Sequence, residues 1–202
     1  MLIHETKIKL GAVIYDDFEL LDLFGPLEMF GVLNDKIEII LVSESKKIVS
    51  SSQGPRVISD LTLHEADYFD ILLIPGGLGT RKEVNNIQLI NFIKNLSDKA
   101  LYVAAVCTGA ALLAKTGLLD NLTATTNKIA FEWGRSQRLK VDWKYQARWV
   151  EDGKYFTSSG VSAGIDMSLD VIQKIFGEYT ALNVARLTEY VWNSNKESDP
   201  FA

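Results

Sequence analysis

The sequence predicts an α/β fold, a layered domain on a mostly parallel central sheet with two small hairpins added at an edge. Three observations predict it. Short apolar runs of strand length recur along the chain, as suits strands buried on both faces. Stretches with helical apolar spacing alternate with them, which is the order of an α/β layered domain. The chain has 202 residues, 47% of them hydrophobic, and one cysteine, so one large core is expected to form without covalent staples. A single domain over 1–202, with its core at about 8–192, is expected.

Taken in order, Ile8–Tyr15, Ile37–Val42, Ile71–Pro75 and Leu101–Val106 are the apolar strand candidates. Helices are read from stripes three and four residues apart: Leu89, Ile93 and Leu96; Ile165, Leu169, Ile172 and Phe176; Val184, Leu187 and Val191. Val49–Leu63 and Tyr145–Thr157 read as hairpins turning at Gln53-Gly54-Pro55 and at Glu151-Asp152-Gly153. Only the tail NSNKESDPFA looks frayed. The tryptophans at 133, 143, 149 and 192 cluster in the second half, where core packing, an interface or a pocket cap are all open to them.

Composition excludes several function classes. Lys and Arg total 21 against 26 Asp and Glu, a net charge of −5, whereas phosphate binding needs a basic face. Neither a nucleic acid nor an anionic membrane is therefore an expected partner. The start MLIHETKIKL lacks the basic-then-apolar order of a signal peptide, and no apolar run approaches the ~18 residues of a membrane span. The lone Cys107 excludes an intramolecular disulfide and a cysteine-only zinc site within one chain. With only His4 and His64 as histidines, no metal site is expected. A free cysteine fits a reducing compartment, so a cytoplasmic location is expected.

In an open α/β sheet ligands bind beyond the carboxyl ends of the strands, so the residues after each strand are the ones to read. After Val106 comes Cys107-Thr108-Gly109-Ala110-Ala111-Leu112, small and helix-compatible, as at a nucleophile elbow. A sulfur facing the new helix's N-terminus meets unpaired N–H groups and partial positive charge, which favour thiolate. The alternative is a small buried hydrophobe. After Ile74 comes Pro75-Gly76-Gly77-Leu78-Gly79, whose backbone N–H groups are candidates for an oxyanion-type hole; the alternative is a plain glycine turn. Gly79-Thr80-Arg81-Lys82 does not continue it with phosphate-loop spacing.

The first strand is followed by Asp16, Asp17 and Glu19, which read as solvated loop charges, and by Asp22 between Leu21 and Leu23 near Pro26. An apolar-flanked carboxylate in a first helical turn tends to hold its proton, which makes Asp22 a candidate acid–base partner for Cys107; a helix N-cap is the local alternative. His64 is expected at a helix start and His4 in the tail, so the partner of the cysteine is expected to be a carboxylate.

Together Gly25-Pro26, Ile74-Pro75-Gly76-Gly77, Val106-Cys107-Thr108-Gly109, Ala124-Thr125-Thr126 and Ser159-Gly160-Val161-Ser162-Ala163-Gly164-Ile165-Asp166 resemble the ThiJ/PfpI superfamily over about residues 8–192. The resemblance implies a three-layer, flavodoxin-like fold of the class I glutamine-amidotransferase type. Thr108 after the cysteine, with Leu21-Asp22-Leu23-Phe24-Gly25-Pro26 in the first loop, resembles the isonitrile hydratase branch; the protease, deglycase and glyoxalase-like branches have a histidine after the cysteine or a glutamate in the first loop. That branch implies Cys107 as nucleophile, Asp22 as acid–base group and Thr108 as a contributor, with Gly76, Gly77 and Thr108 lining the anion-binding backbone. Gly160, Ser162 and Asn127 are the pocket candidates. Asn127-Lys128 departs from the histidine that the hydratases tend to have after the Ala-Thr-Thr stretch.

The expected activity is hydration of R–N≡C, a small-molecule substrate, to an N-substituted formamide through a thioimidate on Cys107. Amidase, peptidase or glyoxalase-like chemistry on the same sulfur is one alternative, and a non-enzymatic oxidation sensor is another. No cofactor is implied. The resemblance implies a homodimer. The same architecture serves as the sensory half of some transcription regulators, but with no helix-turn-helix before residue 202 a DNA-binding role is not expected.

Overall fold

The structure is a computed structural model that describes residues 6–45 and 48–202; His4 lies outside them. In chain order these residues form β1 (Ile8–Val13), α1 (Leu20–Gly31), β2 (Ile37–Ser43), β3 (Ile48–Ser50), β4 (Arg56–Ile58), β5 (Leu61–Thr62), β6 (Ile71–Ile74), α2 (Thr80–Glu83), α3 (Ile87–Lys99), β7 (Tyr102–Val106), α4 (Gly109–Lys115), β8 (Thr123–Ala124), α5 (Phe131–Ser136), β9 (Asp142–Trp143), β10 (Trp149–Asp152), β11 (Tyr155–Ser158), α6 (Ala163–Phe176) and α7 (Glu178–Leu187).

The central sheet runs β10-β11-β7-β6-β1-β2-β5. Every pairing in it is parallel except β10 with β11. The apolar runs become its middle: all of β6, and Val103 to Val106 of β7, are buried, because helices cover both faces. On α3, Asn86 caps the start by accepting from the Leu89 N–H, and the stripe buries Leu89, Ile93 and Leu96. On α6 the buried face carries Ile165, Leu169 and Ile172. The α/β class and the mostly parallel sheet are as the sequence predicts.

Four local readings are corrected. The first hairpin closes as β3 against β4, with Ile48 opposite Ile58, and does not extend to Leu63. Asp60 exchanges bonds with Leu41, its N–H to the Leu41 carbonyl and its Oδ2 from the Leu41 N–H, both at 2.8 Å, which steers β5 onto the edge of β2. The second hairpin turns at Gly153-Lys154, between the paired Asp152 and Tyr155, because Gly153 takes the positive φ of 61°. It is also no decoration: β11 pairs parallel with β7 inside the main sheet. The last stripe is broken, since α7 ends at Leu187 and leaves Val191 outside it. Glu189 is left-handed there at φ 51°, and the buried residues are Ala181, Val184 and Ala185. His64 sits in a turn, not at a helix start.

Because β1, β6, β7 and β11 run the same way, the segments after Val13, Ile74, Val106 and Ser158 collect at one end of the sheet.

Candidate active site

Cys107 follows β7 directly and has a left-handed backbone, φ 57°, a conformation that a side-chain-bearing residue holds only when its surroundings impose it. Its N–H donates to the Ser158 carbonyl at 3.1 Å, and its carbonyl accepts from Thr126 Oγ1 at 2.8 Å. These bonds turn the sulfur out of the strand at a sharp elbow.

The glycine turn is pinned against it. Tyr15 donates its hydroxyl toward the carbonyls of Pro75 at 2.5 Å and Gly76 at 3.0 Å. The Gly76 N–H donates to Asp22 Oδ2 at 3.1 Å. The Gly77 N–H donates to Thr108 Oγ1 at 3.0 Å, and that hydroxyl lies 3.2 Å from the Gly77 carbonyl. A Cβ on Gly76 would stand 2.7 Å from Asp22 Oδ2, from Thr108 N and from Thr108 Oγ1. Glycine is required there because these groups converge on one spot.

Asp22 is not a cap. Glu19 occupies the N-cap of α1, and Asp22 lies buried in the first turn, fully enclosed with no partner for Oδ1. Burial pushes its pKa up to about 8, although hydrogen bonds from the Cys107 thiol and the Gly76 N–H pull the other way. The resting thiolate expected from the helix N-terminus is corrected. Burial raises the Cys107 thiol well above its ordinary value, and the nearby Asp22 raises it further. The Thr108 N–H and hydroxyl favour the anion but do not prevail. Desolvation outweighs the partial charge at the start of the short α4.

The oxyanion expectation is corrected too. The Gly76 and Gly77 N–H groups are committed to Asp22 and Thr108, leaving Thr108 as the backbone donor at the sulfur. Another donor stands opposite. Asn127 Oδ1 accepts from the Ala130 N–H at 2.9 Å, which turns its Nδ2 toward Gly160. A Cβ on Gly160 would collide with Asn127 Nδ2 and come 2.9 Å from Cys107 Sγ. The bare glycine therefore keeps open the space beside the sulfur that Asn127 faces. Of the residues picked out in the sequence, Cys107, Asp22, Thr108, Gly76, Gly77, Gly160 and Asn127 come together. Ser162 instead faces the Arg148 guanidinium at 3.5 Å.

Sequence reasoning counted Tyr15 as the end of the first strand, which stops at Val13, and so missed its part in the site, and it gave Thr126 no role. It also missed Arg81, whose guanidinium stacks 3.3 Å from the centre of the Trp133 ring. Among the described residues, no three His, Cys, Asp or Glu side chains are arranged to hold a metal ion, and no helix is long and apolar enough to cross a membrane.

Residues 9–174 match the model of the DJ-1/PfpI family. Isonitrile hydratase of Pseudomonas putida is 31% identical over 185 residues, 91% of this chain and 78% of that protein. The HTH-type transcriptional regulator GbdR of Pseudomonas aeruginosa (strain UCBPP-PA14) is 24% identical over 90% of this chain, which spans 50% of the regulator. Protein DJ-1 homolog A of Arabidopsis thaliana is 23% identical over 76% of this chain and 39% of its own length. Among solved structures, a ThiJ/PfpI family protein from Pseudomonas syringae superposes with a TM-score of 0.81 at 26% identity, covering 93% of this chain and 76% of that one. Oxidized DJ-1 of Toxoplasma gondii, at 21% identity and a TM-score of 0.78 over 92% of this chain and 100% of its own, shares the fold.

Proposed function

This chain belongs to the DJ-1/PfpI family, and from that premise we propose that it is a cysteine-dependent hydratase converting R–N≡C to R–NH–CHO. One observation carries the reading: a buried Asp22 carboxyl that holds its proton to about pH 8 converges with the N–H and hydroxyl of Thr108 on the elbow that carries Cys107. A nucleophile paired with an acid is what addition to a terminal isonitrile carbon needs.

The reactive form is the pair with one proton. Sulfur bonds to the isonitrile carbon, and the shared proton passes from Asp22 to the same carbon, giving R–N=CH–S–Cys107. Asp22, now a carboxylate, takes a proton from water as the water oxygen bonds to that carbon. The proton goes on to nitrogen. The carbon–sulfur bond then breaks as the new hydroxyl returns its proton to Asp22, releasing R–NH–CHO and restoring the starting pair. One water is consumed. Asn127 Nδ2, on the open side at Gly160, is positioned to donate to the nitrogen as its basicity grows.

Amidase, peptidase or glyoxalase-like chemistry on the same sulfur and oxidation sensing draw less support, because the relative that is 31% identical over 91% of this chain is a hydratase. The test is formamide production from cyclohexyl isocyanide by purified protein. Turnover that Cys107→Ala abolishes is the expected result; no turnover, or turnover surviving that substitution, overturns the proposal. The homodimer belongs to the same proposal and is checked by sedimentation.

A further inference from the structure

One residue beyond Asn127 begins a cleft of about 600 Å³, lined by Arg81, Lys128, Ile129, Phe131, Trp133 and Tyr145 among others. We propose that this cleft is a subsite for a carboxylate on the substrate, received by Arg81. It rests on the reading of Cys107 as the reacting centre and narrows the substrate class to isonitriles whose substituent R is acidic.

Three features carry it. First, Arg81 is stacked but unpaired. Its guanidinium lies over the Trp133 ring at 3.3 Å from the ring centre, and its hydrogen bond is a long one, 3.4 Å to Thr80 Oγ1. Among the described residues no carboxylate pairs with it, whereas Lys94, Lys99, Arg138, Lys144, Arg148 and Lys174 each have one. A guanidinium held by its face offers its edge, the geometry that grips a carboxylate with two parallel bonds.

Second, the rest of the lining leaves that charge unopposed. Glu132, the acid in the cleft wall, leans on Arg135 at 3.8 Å. Lys128 is positive but turned inward, donating to Thr125 Oγ1 at 2.8 Å and to the Ala147 carbonyl at 2.6 Å. It adds field without competing for the ligand. The walls are apolar, with Phe131 and Tyr145 packed edge to face at 4.9 Å. In a chain of net charge −5, a basic, aromatic mouth beside the nucleophile is a local departure that would draw in an anion.

Third, the cleft and the sulfur communicate. Asn127, next in the chain to Lys128, faces the space at Cys107 Sγ, and Arg81 is tied to the same elbow through Thr80, whose hydroxyl donates to the Gly77 carbonyl at 2.7 Å beside Thr108 Oγ1. In this arrangement a small molecule with its reacting carbon on the sulfur extends past Asn127 and sets its far end in the cleft at Arg81.

The test compares isocyanoacetate with its methyl ester on the wild type, Arg81→Met and Arg81→Lys. The expected wild-type kcat/KM favours the acid by about tenfold or more, one charged pair's worth. Arg81→Met should remove that preference by lowering kcat/KM for the acid, through KM, far more than for the ester, and Arg81→Lys should keep part of it. Equal use of acid and ester by the wild type, or an equal loss on both in Arg81→Met, overturns the subsite. A second readout needs no turnover: NMR titration with N-formylglycine and N-formylglycinamide. Binding of the acid that Arg81→Met weakens supports the subsite even if no isonitrile reacts, in which case the hydratase reading alone fails. Binding that ignores both the charge and Arg81 overturns the subsite alone.

Discussion

The Gly76 N–H donates to Asp22 Oδ2 at 3.1 Å across 54 residues of sequence, while the other oxygen of that carboxyl is buried without a partner. That bond holds one oxygen of Asp22 in place, and burial of the carboxyl decides how it titrates. A carboxylate with an unsatisfied buried oxygen is costly, so the acid keeps its proton.

The pH dependence of the reaction follows. Asp22 is protonated below about 8 and ionised above it, and the reactive pair carries one proton. The kcat/KM for a neutral isonitrile should therefore rise with pH up to about 8. In Asp22→Asn the remaining activity should lose that limb. A wild-type profile flat from pH 6 to 9 contradicts this assignment.

Stability carries the opposite sign. The folded-state pKa of Asp22 lies above its unfolded value, 3.8 against about 8. The folded state therefore binds more protons between those limits, and stability falls as pH rises through the window, by at most roughly 1.4 kcal/mol per pH unit. Asp22→Asn should be less destabilised than the wild type on going from pH 5 to pH 8 in urea melts. Parallel curves for the two proteins would show that the acid is not protonated in the fold.

Gly160→Ala tests the open space beside the sulfur. The new methyl would collide with Asn127 Nδ2 and crowd Sγ at 2.9 Å. Turnover should fall on the order of 100-fold, the scale of a 1 Å misplacement, with the melting temperature nearly unchanged. Unaltered turnover would mean that substrate does not use this space.

Arg148→Met tests the ion network behind the site. Arg148 meets Asp166 at 2.5 Å with both side chains buried, and Asp166 also accepts from Tyr190 and from the Asn193 N–H, each at 3.0 Å. Removing the arginine strands a buried carboxylate, at a cost of about 3–5 kcal/mol by urea denaturation. A loss below about 1 kcal/mol would place the pair in solvent-like surroundings.

The sheet was legible because β1, β2, β6 and β7 are apolar runs of strand length, and β6 and β7 are buried almost throughout. Cys107, Asp22 and the glycine turn were legible by position after those strands. What stayed hidden depended on partners far along the chain. Thiolate chemistry at Cys107 read plausibly from local dipoles, yet enclosure by distant segments decides it. The N–H groups of Gly76 and Gly77 looked free until Asp22 and Thr108 arrived to take them. The parallel seat of β11 beside β7 could not be read from a hairpin pattern, and the Val184, Leu187 and Val191 stripe gave no sign that Glu189 would end the helix. Arg81 drew no reading of its own because its stacking partner lies 52 positions away in the sequence.

Tyr15, Asp22, Thr108 and Thr126 tie the loops after separate strands to one another. No one of those loops can swing aside without unlatching its neighbours. Backbone amides at Gly76, Gly77 and Cys107 would then exchange with deuterium at a common rate, as a single cooperative block. Access to the sulfur would come from the side of Gly160 and Asn127, over a floor that stays shut.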